Sequence, residues 1–337
     1  MSVTIVDVAK RAGVSVSTVS KYINGGNVIE PKRSEIKAAI EELGFVANPI
    51  ARGMKTRKTN TIGVLIPGMS EFFGVALLTH LNKYMYEKNY TVVTCDYKFD
   101  EFGTNAREKI GFLVHNHVDG IIMQPDAFKE NEVDAAVEAN IPIVVVDLED
   151  EFERFDSVVL DNESLGYEAT RKFIDNGHRR IAIVTGYPNA TTSQKRVAGY
   201  KKALAEAGIE CNEKYIFMGK HLEIRGYETM ERIFAMPEEE RPTAVFIAGN
   251  VLMMGSLLYF KKNNKSIPED ISIIGMENIQ AARIFNPTID IATQPMELFA
   301  EAAADLLLTR IEKEYTGPKR TVKLYATFQP GETIKKL

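Results

Sequence analysis

The stretch TIVDVAKRAGVSVSTVSKYINGGNVIEPKRSEIKAAIEELG, residues 4–44, decides how the N-terminal part of the chain folds. Thr4 and Asp7 stand three residues apart ahead of an apolar run, the spacing of a capping box, in which the hydroxyl covers an orphan amide of the first turn and the carboxylate reaches back to the cap's own N–H. A helix therefore begins there, with Val8, Ala9 and Ala12 on its apolar face, and Gly13 can take the positive φ that ends it. Ser15 caps a second helix, from Val16 to about Ile23, in which Val19 and Ile23 face inward at i and i+4 while Ser17, Thr18, Ser20 and Lys21 face outward. Asn24-Gly25-Gly26 stops it, and a third helix opens at Pro31 and runs through Ile36, Ala39, Ile40 and Leu43 to Gly44. A helix, a tight glycine-containing turn and a second helix whose outer face carries small hydroxyls and one cation form a helix-turn-helix layout.

Charge points the same way. Residues 1–60 hold ten Lys/Arg against five Asp/Glu, a local charge of +5, whereas the other 277 residues hold 31 against 41, or −10. A small basic head on a large acidic body is the pattern of a polyanion-binding module joined to a separate globular part. The 337-residue chain is 45% hydrophobic and 26% charged, which excludes global disorder and leaves room for two or three packed units. No window approaches 18 uncharged apolar residues, and Asp7, Lys10 and Arg11 stand where a signal peptide needs an apolar core, so a cytoplasmic protein without a membrane partner is expected. Cys95 and Cys211 lie far apart without a CxxC or histidine-rich neighbourhood, so no disulfide, metal or other cofactor is expected.

Past residue 60 the pattern changes to short β-branched runs: TIGVLI (61–66), TVVTC (91–95), DGIIM (119–123), IPIVVV (141–146), DSVVL (156–160), RIAIVT (180–185), TAVFIA (243–248) and DISIIG (270–275). Segments of helical spacing lie between most of them, such as Val75–Lys88, Leu165–Asn176 and Arg196–Ala207. Continuously apolar strands alternating with helices imply parallel sheets covered on both faces, and so many residues imply two doubly wound α/β lobes.

Residues 4–55 resemble throughout the DNA-binding headpiece of the lactose repressor family of bacterial transcription regulators, with the helix-ending Gly13, the S-x-x-T-V-S core of the second helix and the Ala51-Arg52-Gly53 hinge in register. The strings VVLDNESLGYEATRKFIDNGHRRIAIVTG, QKRVAGYKKALAEAGI, PEDISIIGMEN and ATQPMELFAEAAADLLL are similar to that family's periplasmic-binding-protein-like core. The resemblance implies an all-α headpiece at 1–47, a hinge at 48–58 and an effector-binding, dimerising core at 59–337. It places one lobe at about 59–161 and 292–321 and the other at about 162–291 and 322–337, with crossings near Asp161, Ile291 and Thr321.

The resemblance assigns base reading to Val16, Ser17 and Lys21. The family more often has Arg in place of Lys21, and Lys lacks the planar fork of a bidentate guanine contact, so discrimination there is expected to be looser. Thr4, Ser15, Thr18, Ser20 and Asn24 suit phosphate contacts. In the hinge, Met54 matches an apolar side chain that the family levers into a central base step, with Asn48, Ala51 and Lys55 beside it; so short a segment gains helix only when paired on DNA. The implied partners are palindromic double-stranded operator DNA, a second copy of the chain in a dimer, and a small-molecule effector. No leucine heptads follow the last strand, LYATF, so a tetramer is not expected.

Effector candidates follow from position at strand ends. Phe72 and Phe73 can stack on a sugar or a base, and Asp147, Arg196 and Glu277 match recurrent effector contacts of the family. Two departures suggest a pocket reshaped from the common sugar pattern: Gly249-Asn250 replaces an Asn/Thr-Asp pair, and Gly275-Met276-Glu277-Asn278 replaces Gly-Phe/Tyr-Asp-Asp. A sugar or sugar derivative is the expected effector. One rival is control by a phosphoprotein, as in the catabolite control branch, but Glu297, Leu298 and Asp305 stand where that branch offers an aromatic, an acid and an arginine. An enzyme is disfavoured because no GxGxxG opens a helix after the first strand and neither GxxxxGK[ST] nor GxSxG occurs. A transport binding protein would lack the basic head.

Overall fold

The computed structural model describes residues 3–23, 26–45, 58–68, 72–100, 103–125, 130–148, 154–277 and 279–337. The chain divides into two units, residues 1–60 and 61–337. In the first, helices α1 (Ile5–Arg11), α2 (Val16–Ile23) and α3 (Lys32–Leu43) enclose a small core of Val8, Ala9, Ala12, Val19, Val28, Ile36 and Ala39. The capping box is formed: Thr4 N–H donates to the Asp7 carboxylate at 2.8 Å and Asp7 N–H donates to Thr4 Oγ1 at 3.4 Å. Gly13 takes φ +64°, and Ser15 Oγ accepts from Thr18 N–H at 3.2 Å. Pro31 stands just outside α3, and Arg11 pairs with Glu42 to tie α1 to α3.

The second unit holds two six-stranded sheets among the described residues. Its strands are β1 (Thr61–Ile66), β2 (Thr91–Asp96), a small antiparallel pair β3 (Lys98–Asp100) and β4 (Gly103–Thr104), β5 (Gly120–Met123), β6 (Ile143–Val146), β7 (Asp156–Leu160), β8 (Ile181–Thr185), β9 (Ile216–Met218), β10 (Ala244–Ile247), β11 (Ser272–Met276), β12 (Asp290–Thr293), β13 (Thr321–Leu324) and β14 (Thr327–Gln329). The helices are α4 (Phe72–Glu87), α5 (Ala106–His115), α6 (Asp134–Glu138), α7 (Asn162–Asp175), α8 (Thr191–Glu206), α9 (Glu223–Phe234), α10 (Asn250–Lys262), α11 (Ile279–Ile284) and α12 (Met296–Ile311). None of them is long and apolar enough to cross a membrane.

The first sheet runs β13-β7-β6-β5-β1-β2, all parallel, and the second runs β14-β12-β11-β10-β8-β9, with only β14 antiparallel. The central strands β5, β6, β8, β10 and β11 are buried along their whole length, which is why they read as unbroken apolar runs. The chain passes between the sheets after Leu160, after Thr293 and after Leu324. The first passage begins just before Asp161. The other two come later than Ile291 and Thr321, because β12 and β13 complete their ladders first, Thr293 facing Thr327 and Leu324 facing Leu160. LYATF is accordingly a passage between two strands of different sheets.

At the amino end of β7, Asp156 is 1% exposed and accepts four hydrogen bonds: from Arg310 Nε and Nη2 at 3.0 and 2.8 Å, and from Arg320 Nη2 and its backbone N–H at 2.7 and 2.9 Å. Both guanidinium groups also lie against the Tyr315 ring, at 4.6 and 4.0 Å from its centroid. The carboxylate thereby binds β7 to α12 and to the start of β13. Burial alone would raise its pKa, but the hydrogen bonds from Arg310 and Arg320 outweigh burial and hold it below the ordinary carboxylate value. Asp156→Asn should cost about 3–5 kcal/mol in urea unfolding, because it leaves two half-buried cations without their buried counter-charge. The clamp's contribution is full above the unfolded carboxylate pKa of about 3.9 and is lost as pH falls through the lower folded value; the variant should lack this acid-side loss. Equal stability and equal pH dependence would show that the clamp contributes nothing.

Candidate functional site

On the N-terminal unit, α2 presents Val16, 42% exposed, together with the exposed Ser17 and Lys21. An apolar side chain left outside at the first helical position serves no packing purpose. Ser15 Oγ, beside it, is hydrogen-bonded to the hydroxyls of Ser17 and Thr18 at 2.7 Å each. These hydroxyls form one polar patch at the N-terminus of α2, where amides point outward and favour an anion. Thr18 and Ser20 are half-buried at the edge of the same helix, and Thr4 is exposed at the start of α1. Asn24, Asn48, Ala51, Met54 and Lys55 lie outside the described residues.

In the core, the candidate residues gather where strands of both sheets end. Asp147 follows β6 and Glu277 follows β11, each with a left-handed backbone, φ +66° and +80°. Such a conformation costs a non-glycine residue about 1–3 kcal/mol and tends to persist at functional positions. Arg196, on α8, is 6% exposed; its Nε donates to Asn162 Oδ1 at 2.8 Å and its Nη1 to the Ala248 carbonyl at 2.9 Å. It can sit there because α7 and α8 touch backbone to backbone: a Cβ on Gly166 would fall 2.0 Å from the Arg196 carbonyl oxygen, and one on Gly199 would fall 1.9 Å from that of Glu163. Burial pushes the Arg196 pKa down, and the charges of Asp147 and Glu277 oppose that shift. Burial pushes the Glu277 carboxyl up, opposed by Arg196 and by the hydrogen bond that Gln294 Nε2 donates to Glu277 Oε1. The structure thus brings one cation and two acids from both lobes into a single electrostatic cluster.

Beside the cluster lies a cavity of about 410 Å³ whose walls include Phe72, Glu277, Thr293, Gln294 and Met296. Arg196 does not line it. Phe72 is therefore in position to meet a ligand, whereas Phe73 is not: it is 6% exposed and packs edge-on against Phe299, with ring centroids 5.4 Å apart. The first turn of α4 can aim only one of the two neighbouring rings outward, since the other fills the gap beneath α12. Asn250, at the start of α10, has its Oδ1 buried with no partner among the described residues.

Three residues of this region escaped the sequence reading. Gln124, following β5, and Gln294, following β12, are 7% and 9% exposed, and each has a buried Oε1 with no partner among the described residues. His221 lies across the ends of β8 and β10: a Cβ on Gly186 would fall 2.1 Å from its Nε2 and one on Gly249 would fall 3.1 Å from its Cε1. The signal that was available is position, since each of the three follows a strand's carboxyl end or the loop just after it.

Residues 4–48 match the model for bacterial regulatory proteins of the lacI family, and residues 170–334 match that for a periplasmic binding protein-like domain. The chain is 33% identical over 336 residues to the HTH-type transcriptional repressor PurR of Vibrio campbellii, covering 99% of both chains. It is 31% identical over 318 residues to the catabolite control protein A of Priestia megaterium, covering 93% of this chain and 94% of that one. Among solved structures it is similar to a complex of the transcriptional regulator CelR with cellobiose, at 27% identity and TM-score 0.73, covering 98% of this chain and 99% of that one. The lac repressor dimer bound to operator and the anti-inducer ONPF shares the fold, with TM-score 0.85 at 20% identity and coverage of 99% and 100%.

Proposed function

Because the chain belongs to the lacI family of bacterial regulatory proteins, we propose that it is a homodimeric transcription repressor that binds palindromic operator DNA and answers to a small molecule held between the lobes of its core. The observation that carries this reading is the conjunction, in one chain, of a basic helix-turn-helix unit with a two-sheet core that gathers Asp147, Arg196 and Glu277 from both lobes. On the DNA, Val16 suits contact with a thymine methyl, and Ser17 and Lys21 suit hydrogen bonds to base edges. Thr4, Ser15, Thr18, Ser20 and Asn24 set register on phosphates. The hinge, residues 48–58, enters the minor groove beside its copy from the second protomer, with Met54 as the wedge and Asn48, Ala51 and Lys55 around it.

The second copy has a surface to cover. Helices α9 and α10 approach closely, since a Cβ on Gly255 would fall 1.8 Å from the Glu223 carbonyl oxygen and one on Gly226 would fall 2.0 Å from that of Leu252. Leu222 and Ile224 flank one side of this crossing and Met254 the other, at 46%, 55% and 38% exposure. An apolar patch left outside on two packed helices suits a two-fold contact between copies. The phosphoprotein alternative meets an acidic surface instead: His80, Lys83, Tyr84 and Glu87 of α4 share a groove with Glu297 and Glu301 of α12, and Tyr84 donates to Asp305 at 2.7 Å.

The effector works through the lobes. A compound held by groups from both must favour one interlobe angle, and coupling of this kind is typically worth about 1–3 kcal/mol. CelR was solved with cellobiose, which supports a saccharide-like effector here.

Three measurements test the reading. Lys21→Ala should weaken operator binding and relax one symmetric base position by about 1–3 kcal/mol per half-site; an equal loss on all sequences would make Lys21 a phosphate contact. Ile224→Glu should convert the dimer to monomer in sedimentation, and an unchanged dimer would move the contact elsewhere. Arg196→Ala should abolish the effector response of operator binding while the ligand-free affinity stays near wild type. A wild-type response in that variant would make Arg196 a seam residue that only supports Asn162 and Ala248.

A further inference from the structure

Three glycines of the N-terminal unit lie among the described residues, and they are there for different reasons. Gly13 and Gly44 take φ of +64° and +60°, and a Cβ on either would meet nothing within 4 Å, so the backbone angle is what each supplies. Gly26 is the converse. Its φ lies outside the left-handed region and it is exposed, so neither chain direction nor core packing calls for glycine there. What it lacks room for is a side chain: a Cβ would fall 2.7 Å from Lys21 Cγ, 2.9 Å from the Lys21 carbonyl oxygen and 3.4 Å from Lys21 Cε.

All three atoms nearest to that position belong to one residue. The turn after α2 brings Gly26 back over Lys21, its N–H donating to the Lys21 carbonyl at 2.8 Å, and the lysine stem then lies along the bare backbone of the glycine. Lys21 is exposed in the last turn of α2, and its ammonium makes no hydrogen bond or ion pair among the described residues. A flexible four-carbon side chain in that state samples many rotamers unless something limits it. Gly26 supplies such a limit, since the stem rests where a methyl group at position 26 would otherwise stand. The face so ordered is the outer face of α2, which also carries the exposed Val16 and Ser17.

Resting on the base-reading role given to Lys21 above, we propose that Gly26 is a positioning residue for operator specificity: its missing side chain sets where the Lys21 ammonium stands, and with it the discrimination at one symmetric base pair. An ammonium has no planar fork to align it on a base edge, so its selectivity depends on being held in place. A side chain at position 26 must displace the stem at Cγ, near its root, and the shift is carried to the end of the chain. Gly26 itself offers no donor to a base edge and acts through Lys21.

The test uses the full-length chain and the palindromic duplex that it enriches from a randomised pool, together with every symmetric single-position change of that duplex and one unrelated duplex. Gly26→Ala should lose about fivefold or more of the discrimination at the position that Lys21→Ala relaxes, while its affinity for the unrelated duplex stays within about twofold of wild type. In a Lys21→Ala background, adding Gly26→Ala should change no position by more than about twofold, because the side chain through which it acts is gone. Equal loss on every duplex, loss at a different position, or an effect of Gly26→Ala that persists in the Lys21→Ala background would overturn the proposal and leave the base-reading role of Lys21 in place. Should Gly26→Ala abolish all duplex binding, the double variant decides. Recovery to the level of Lys21→Ala shows that position 26 makes room for the lysine stem, whereas continued loss makes Gly26 a requirement of the three-helix fold and overturns the proposal. A uniform loss caused by Lys21→Ala itself would instead overturn the base-reading role.

Discussion

A guanidinium taken out of water must be met on every side it turns inward, and Arg196 is the point at which this core meets that demand. Its Nε goes to Asn162, two residues past the first passage between the lobes, and its Nη1 goes to the end of β10. The charges of Asp147 and Glu277 reach it from the ends of β6 and β11. Groups from both lobes thus converge on one cation, which could not lie there unless α7 and α8 touched through Gly166 and Gly199. A side chain larger than hydrogen at either glycine would push α8 outward and take the arginine with it.

The three passages between the sheets run beside that cluster and are tied to it and to each other. Asp161 N–H donates to the Leu324 carbonyl at 2.7 Å, so the first and third passages are bonded to each other. Gln294, on the second passage, is bonded to Glu277. Glu277 and Asp147 are themselves held by backbone bonds, their N–H groups donating to Ala292 and Val158. Glu277 and Gln294 are thus bonded to the segments that link the two lobes, which is where the proposed effector would have to act. Small changes there are amplified because packed lobes have few alternative arrangements.

The Asp156 clamp stands at the other end of the first sheet, at the amino end of β7, and serves a different purpose. It fixes α12 and β13, both of which arrive late in the chain, against strands laid down early. On the proposed effector reading, a change of interlobe angle needs lobes that stay rigid while the passages between them flex. A buried carboxylate with two arginines supplies that rigidity in the first lobe.

The three helices of the N-terminal unit were legible because their signals act within four residues: Thr4 with Asp7, Ser15 with Thr18, and a glycine free to take φ +64° at position 13. The central strands were legible because burial on both faces leaves unbroken β-branched runs. Strand β9 is only three residues long, and β12, β13 and β14 are short and carry polar residues, so their pairing depends on neighbours far away in the chain; of these only the LYATF stretch reads as a strand in the sequence. Asp147 and Glu277 could be placed at strand ends and Arg196 in the helix after β8 from the order of elements, and Asn250 only through the family resemblance, but not the choice between Phe72 and Phe73, which rests on the Phe299 ring that α12 brings against α4. Likewise the orphan oxygens of Gln124, Gln294 and Asn250, and the position of His221 over Gly186 and Gly249, follow from what lies opposite each group. The sequence by itself determined which segments form helices and central strands, since caps and hydrophobic periods are local. Only the tertiary structure decided which side chains face the cleft with hydrogen bonds still to make, because burial and satisfaction are properties of a pair of surfaces and not of a residue.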